Sequence, residues 1–168
     1  MSDTSKDQDI GDDPILTLDR FLPYQLNFLA EEVSRSFSRI YADQFGISIP
    51  EWRVVAILGQ SGPVTAKTIG ERSTMHKTKV SRAVAALEKR QFIVRSPNSV
   101  DLRESFIELS ESGKAMYRDL VPQAFAFNAL LKSALSQEEQ ETLEGIFSKL
   151  HQASRDFRRS GKPLKPLR

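Results

Sequence analysis

The 168-residue sequence predicts a mainly α (α+β) chain with one small β-hairpin inside it. Three observations carry that expectation. Apolar residues recur every three or four positions over most of the length, capping pairs and Gly/Pro breaks punctuate them, and two β-like runs flank one turn-rich stretch. At 39% hydrophobic and 27% charged residues, the composition suits one domain with a real core.

The first helix is predicted from Leu22, because Leu22, Leu26, Leu29, Val33, Phe37 and Ile40 build one stripe; Gly46 ends it. Ser48 and Glu51 stand in capping-box spacing around Pro50 and open a second helix through Trp52, Val55 and Leu58. Ser61-Gly62-Pro63 breaks the chain, and Thr65 caps a short third helix, with Val64 and Ile69 spaced as a hydrophobic staple and Ser73-Thr74 as its end. A fourth helix is expected from about His76 to Arg90. Its apolar stripe, Val80, Val84 and Leu87, is narrow, and the other side is basic and hydroxylated.

Phe92 to Val94 read as a strand, Ser96-Pro97-Asn98-Ser99 as a turn, and Ser105 to Leu109 as a second strand. Ser110 caps a long fifth helix past Met116, Leu120, Phe127 and Leu131, with a kink expected at Pro122. Ser136 and Glu139 form another capping box and start a sixth helix through Leu143, Ile146, Phe147, Leu150 and Phe157.

The formal charge of +2 conceals a strong asymmetry. Residues 1–20 carry −4 and residues 155–168 carry +5, whereas residues 65–103 hold +6 within an otherwise acidic body of −5. A basic segment of that density marks a polyanion-binding surface. It coincides with the order helix, short helix, helix, hairpin, which is that of a winged helix-turn-helix. The remaining helices are too long and apolar for so small a unit to cover, so a helical dimerisation region and a second copy of the chain are expected.

Other classes are excluded or disfavoured by the same reading. With no cysteine, a disulfide scaffold, a thiol redox centre, cysteine-ligated zinc and an iron–sulfur cluster are all impossible. His76 and His151 have neither metal-ligand spacing nor a neighbouring nucleophile, and no Gly-rich phosphate loop occurs, so no catalytic site, metal or cofactor is expected. The acidic start Met1-Ser2-Asp3-Thr4 is unlike a secretory signal, and no stretch approaches the roughly 18 apolar residues of a membrane span, so a cytoplasmic location is expected.

Four short motifs resemble the MarR family of bacterial transcriptional regulators: Ser48-Ile49-Pro50-Glu51-Trp52-Arg53, Lys77-Thr78-Lys79-Val80-Ser81-Arg82, Leu87-Glu88-Lys89-Arg90, and Asp101-Leu102-Arg103 leading to Leu109-Ser110-Glu111-Ser112-Gly113. The resemblance spans about residues 21–157. It implies a winged helix-turn-helix over about 48–109 and dimerisation helices over about 21–45 and 111–157, while the charge distribution marks 1–20 as an acidic tail and 158–168 as a basic one. It further implies a triangular homodimer that represses transcription at a palindromic operator and is released by a small, often aromatic and anionic, effector. Two residues depart from the family pattern: Gln91 stands where glycine is usual, and Leu102 replaces the middle arginine of the wing tip.

On that arrangement Thr78, Lys79, Ser81 and Arg82 are expected to face base edges in the major groove, with Arg82 the best candidate for a bidentate guanine contact or, alternatively, a phosphate contact. Thr65, Lys67, Thr68 and Lys77 lie at helix starts, where amides and the dipole favour phosphate. Arg103 is a minor-groove probe at the wing tip, and Asp101 has a structural role in holding an arginine. Tyr24, Phe28, Trp52 and Arg53 would line an effector pocket near the junction of the first helix with the winged region, or else serve as ordinary core. The competing function is a winged-helix dimer acting through protein–protein contacts with an acidic partner.

Overall fold

The computed structural model describes residues 15–98 and 103–163. A single 3-10 turn, Leu18–Arg20, precedes α1 (Leu22–Phe45) and α2 (Ile49–Ser61). There follow β1 (Val64–Thr65), α3 (Ala66–Ser73), α4 (Lys77–Lys89), β2 (Ile93–Pro97), β3 (Ser105–Leu109), α5 (Glu111–Lys132) and α6 (Gln137–Ser160). This is a winged helix-turn-helix set between long helices, the mainly α architecture read from the periodicity.

The capping residues act as their types dictate. The Glu51 carboxylate accepts from the Ser48 N–H at 2.7 Å, and Glu139 accepts from the Ser136 N–H at 2.7 Å while the Ser136 hydroxyl accepts from the Glu139 N–H at 3.2 Å. Ser110 Oγ accepts from the Gly113 N–H at 3.1 Å and opens α5. Gly46, left-handed at φ +61°, stops α1. Helix α5 runs on through Pro122 without interruption.

The strands differ from the sequence expectation in three ways. Residues Ser96 and Pro97, expected in the turn, continue β2 opposite Phe106 and Ser105. The sheet order β1-β3-β2 explains the tolerance, because Pro97 ends an edge strand, where a missing N–H leaves no gap inside the ladder. Phe92, expected in the strand, instead closes the end of α4. The two-residue β1, which pairs Val64 with Ile107 and Thr65 with Phe106, is too short to show a period. The wing-tip residues Asp101 and Leu102 lie outside the described residues, as do 1–14 and 164–168 of the two expected tails. Within the described part of those tails, Leu18–Arg20 form the 3-10 turn and α6 continues to Ser160 before Gly161 stops it at φ +57°.

The core lies where α2, α3, α4, the sheet and the first half of α5 meet. Val54, Val55, Leu58, Ile69, Val80, Val84, Leu87, Ile93, Ile107, Met116 and Leu120 are all buried there. An aromatic cluster extends this core into the long helices. Phe37 of α1 meets Tyr41 and Trp52 edge-on at 5.4 and 5.5 Å and stacks on Phe127 of α5 at 5.2 Å.

The end of α4 is a Schellman turn: the Gln91 N–H donates to the Glu88 carbonyl at 2.9 Å and the Phe92 N–H to the Leu87 carbonyl at 3.0 Å. It requires a left-handed residue, and Gln91 takes it at φ +61°. The turn brings the Phe92 carbonyl against α5, where a Cβ on Gly113 would lie 1.9 Å from it. Since an L-residue in the left-handed region is strained by about 1–2 kcal/mol and glycine adds back part of that as chain entropy, Gln91→Gly should stabilise the fold by about 0.5–1 kcal/mol. Chemical denaturation checks this, and an unchanged or lowered midpoint rules out strain at Gln91.

Candidate nucleic-acid interface

Burial of one side of α4 defines the site. Val80, Ala83, Val84 and Leu87 are buried, while Lys77, Thr78, Lys79, Ser81 and Arg82 are exposed on the rest of the helix. The start of α4 is set by a left-handed Thr74 (φ +55°) and by His76, whose Nδ1 accepts from the Thr78 N–H at 3.4 Å. His76 is thus the N-cap, at the helix start where the sequence placed it. His151 lies on α6, and among the described residues no group of three or more His, Asp or Glu could hold a metal ion.

Helix α3 stands beside α4 with its N-terminus held by the sheet. Thr65 belongs to β1, and its Oγ1 accepts from the Thr68 N–H at 3.3 Å and lies 3.2 Å from the Thr68 hydroxyl. Both hydroxyls are therefore engaged in the cap, and Lys67 between them is exposed. An open cleft of about 550 Å³ runs between the start of α3, α4 and the wing, lined by Thr65, Lys67, Lys77, Ser81, Arg95 and Arg103 among others. Glu71 and Glu104 also line it, so the cationic edge is tempered on both flanks.

Arg95 is a cleft residue to which the sequence reading assigned no role. Its Nε donates to both Glu88 oxygens, at 2.9 and 3.1 Å, and its Nη1 to Ser105 Oγ at 3.3 Å. The pair joins α4 to the β2–β3 hairpin. No spacing rule flags it, because a helix residue and a strand residue seven positions apart meet only once the intervening turn is formed.

The four expected effector residues are not gathered in one place. Tyr24 and Phe28 stack on each other at 6.3 Å on the exposed first half of α1. Trp52 stacks on Tyr41 at 5.5 Å inside the aromatic cluster, which meets α1 at Phe37, about 13 Å of helix beyond Phe28. Arg53 is near enough to Tyr41 for its charge to act on the phenol.

A model of the MarR family matches residues 47–105, the span from the start of α2 to the start of β3. Over that span the chain is similar to the MarR family. Its relatives are transcriptional regulators: an uncharacterised HTH-type transcriptional regulator of Bacillus cereus is 27% identical over 122 residues, 72% of this chain and 81% of that one. The crystal structure of a MarR/EmrR family regulator from Acinetobacter sp. ADP1 superimposes with a TM-score of 0.76 at 27% identity, over 84% of this chain and 99% of that one. The S. aureus MepR–DNA complex shares the fold, with a TM-score of 0.70 at 21% identity over 79% and 98% of the two chains. No helix among the described residues is long and apolar enough to cross a membrane.

Burial pushes the Tyr41 phenol up to about 12 from 10.0, against the opposing Arg53 charge and a hydrogen bond with Ser38. The folded chain therefore keeps the proton where the unfolded chain releases it. Stability from this group is complete below pH 10 and is lost as pH rises towards 12. Between about pH 9 and 12, wild-type stability should fall by about 2 kcal/mol more than that of Tyr41→Phe. Urea melts across that range test it, and parallel slopes for the two proteins refute it.

Proposed function

We propose that this chain is a repressor that binds a palindromic operator as a homodimer, inserting α4 in the major groove, and that a small aromatic or anionic ligand releases it. The observation that carries this reading is the exposed face of α4. Three of its residues are cationic and two carry hydroxyls, and the helix cannot turn that face inward without exposing Val80, Val84 and Leu87. Arg82 is assigned to a base edge, Thr78, Lys79 and Ser81 to the same groove, and Thr65, Lys67, Thr68 and Lys77 to phosphates. Arg103 is assigned to the adjacent minor groove, with Asp101 in a structural role in the wing. A chain of the same fold, MepR, has been solved in complex with DNA, which supports DNA as the partner.

Dimerisation is supported by the apolar side chains that one chain leaves uncovered. Helix α6 has no buried residue, yet Leu143, Ile146, Phe147 and Phe157 lie along it with 36–52% of their surface exposed. Leu22, Leu26 and Leu29 on α1 are equally open, and Leu130 and Leu131 end α5 in the same way. Surfaces of this kind call for a partner. A twofold dimer sets two copies of α4 about 10–10.5 base pairs apart, which implies an inverted repeat. We assign Tyr24 and Phe28, which are exposed on α1, to this seam, and Trp52 to the aromatic cluster at the α1–α2 junction.

Arg82→Ala should flatten base preference by about 1–3 kcal/mol at one position of the half-site. Arg103→Ala should lower affinity for all duplexes and reduce the slope of log affinity against log salt by about 1. Titrations of palindromic and scrambled duplexes at several salt concentrations measure both. Equal affinities at every concentration would end the sequence-specific reading, and tight capture of an acidic protein control instead would favour the protein-contact function. Phe147→Glu should convert the dimer to monomer in sedimentation at micromolar concentration; an unchanged sedimentation coefficient removes α6 from the seam.

A further inference from the structure

Arg90 lies at the far end of α4 from the residues assigned to base contact, and its side chain leaves the winged region altogether. Its Nη1 donates to the Gly46 carbonyl at 3.0 Å and its Nη2 to the Phe45 carbonyl, so one guanidinium closes the C-terminus of α1. The guanidinium carbon also lies 4.9 Å above the Phe92 ring. Unpaired carbonyls and the negative dipole end make a helix C-terminus attractive to a cation, and the planar fork of arginine suits two adjacent acceptors.

Every partner in this contact is itself held. Gly46 is locked in the left-handed conformation that turns these carbonyls outward, with its N–H on the Ala42 carbonyl at 2.8 Å. Phe92 is fixed through its N–H to Leu87 and through its carbonyl, which accepts from the Ser110 N–H at 3.0 Å. Helix α1 otherwise packs on the 3-10 turn that precedes it, on α5 and on α2. Arg90 therefore ties the recognition helix directly to a helix of the dimer seam.

We propose that Arg90 is a positioning residue that holds α4 at a fixed place relative to α1 and so sets the half-site spacing the dimer accepts. This rests on the operator-binding reading above. The twofold axis doubles any displacement: a shift of about 1.7 Å of α4 in each protomer adds up to about 3.4 Å, one base-pair step. A small loosening at Arg90 is enough to blur the register between half-sites while leaving each half-site contact intact.

The experiment uses the full chain and a duplex selected from random DNA by the wild-type protein. The two half-sites are then moved apart or together by one and two base pairs, and a duplex with one half-site is added. Wild type should lose at least about tenfold in affinity on a two-base-pair change, while Arg90→Met should lose about tenfold at the selected spacing and discriminate among spacings by less than about threefold. Its affinity for the single half-site should stay unchanged, and Arg90→Lys, with one ammonium nitrogen in place of the two-nitrogen fork, should recover part of the discrimination. A wild-type spacing profile in Arg90→Met, or an equal loss on the single half-site, overturns the proposal. Should Arg90→Met fail to fold, as its melting curve would show, Arg90→Lys decides alone: a profile identical to wild type overturns it. A wild-type protein with no preference for the selected over a scrambled duplex ends the operator reading, and this proposal with it.

Discussion

The narrow apolar stripe of α4 is the constraint on which the remaining arrangement depends. Val80, Ala83, Val84 and Leu87 are each at most 4% exposed, and burying the larger ones stabilises the fold by about 1.5–3 kcal/mol apiece. A helix held by one side has its other side dictated. Lys77, Thr78, Lys79, Ser81 and Arg82 therefore face solvent as a set, without any separate interaction to orient them. Both ends of the helix are then closed, by the Thr74–His76 turn at the start and the Schellman turn at the finish.

A second constraint is the close approach at the C-terminal turn of α4. The carbonyls of Gln91 and Phe92 point at the first turn of α5, where Ser110 and Ser112 hydroxyls donate to Gln91 at 2.6 and 2.7 Å. Gly113 leaves room for the Phe92 carbonyl. At Gly59 of α2 the same logic holds, since a Cβ would meet the Tyr117 ring at 2.3 Å. These contacts draw α2, the sheet and α5 into one packed unit. The Arg90 clamp and the Phe37–Tyr41–Trp52–Phe127 cluster then connect that unit to α1. The molecule is well packed around the winged region and open along α6.

The cleft beside α4 has a mixed charge that total composition hides. The segment 65–103 is strongly basic, yet Glu88 holds Arg95 in an ion pair and Glu71 and Glu104 stand at the cleft wall. Such pairs are modest in energy at the surface. Their effect is geometric: Arg95 is held at a fixed point between helix and wing, where a free side chain would sample many positions. Specific docking needs that kind of order more than it needs extra charge.

Much of the architecture was legible in the sequence because it depends on local rules. Periodicity placed the five longer helices of the described residues and the Thr65 cap placed the short α3, the Ser48/Glu51 and Ser136/Glu139 pairs marked two helix starts, and Gly46 marked a stop, since each signal acts within a few residues of itself. The basic face of α4 was visible for the same reason. What the tertiary structure alone decided are the meetings between distant segments: β1 added to the edge of β3, Pro97 kept within an edge strand, Arg95 taken by Glu88, Trp52 drawn into the aromatic cluster away from Tyr24 and Phe28, and Arg90 closing a helix that ends 45 residues earlier. Local pattern governs which residues face inward, because that is set by backbone period; which of them touch is set by chain packing, which no local period encodes.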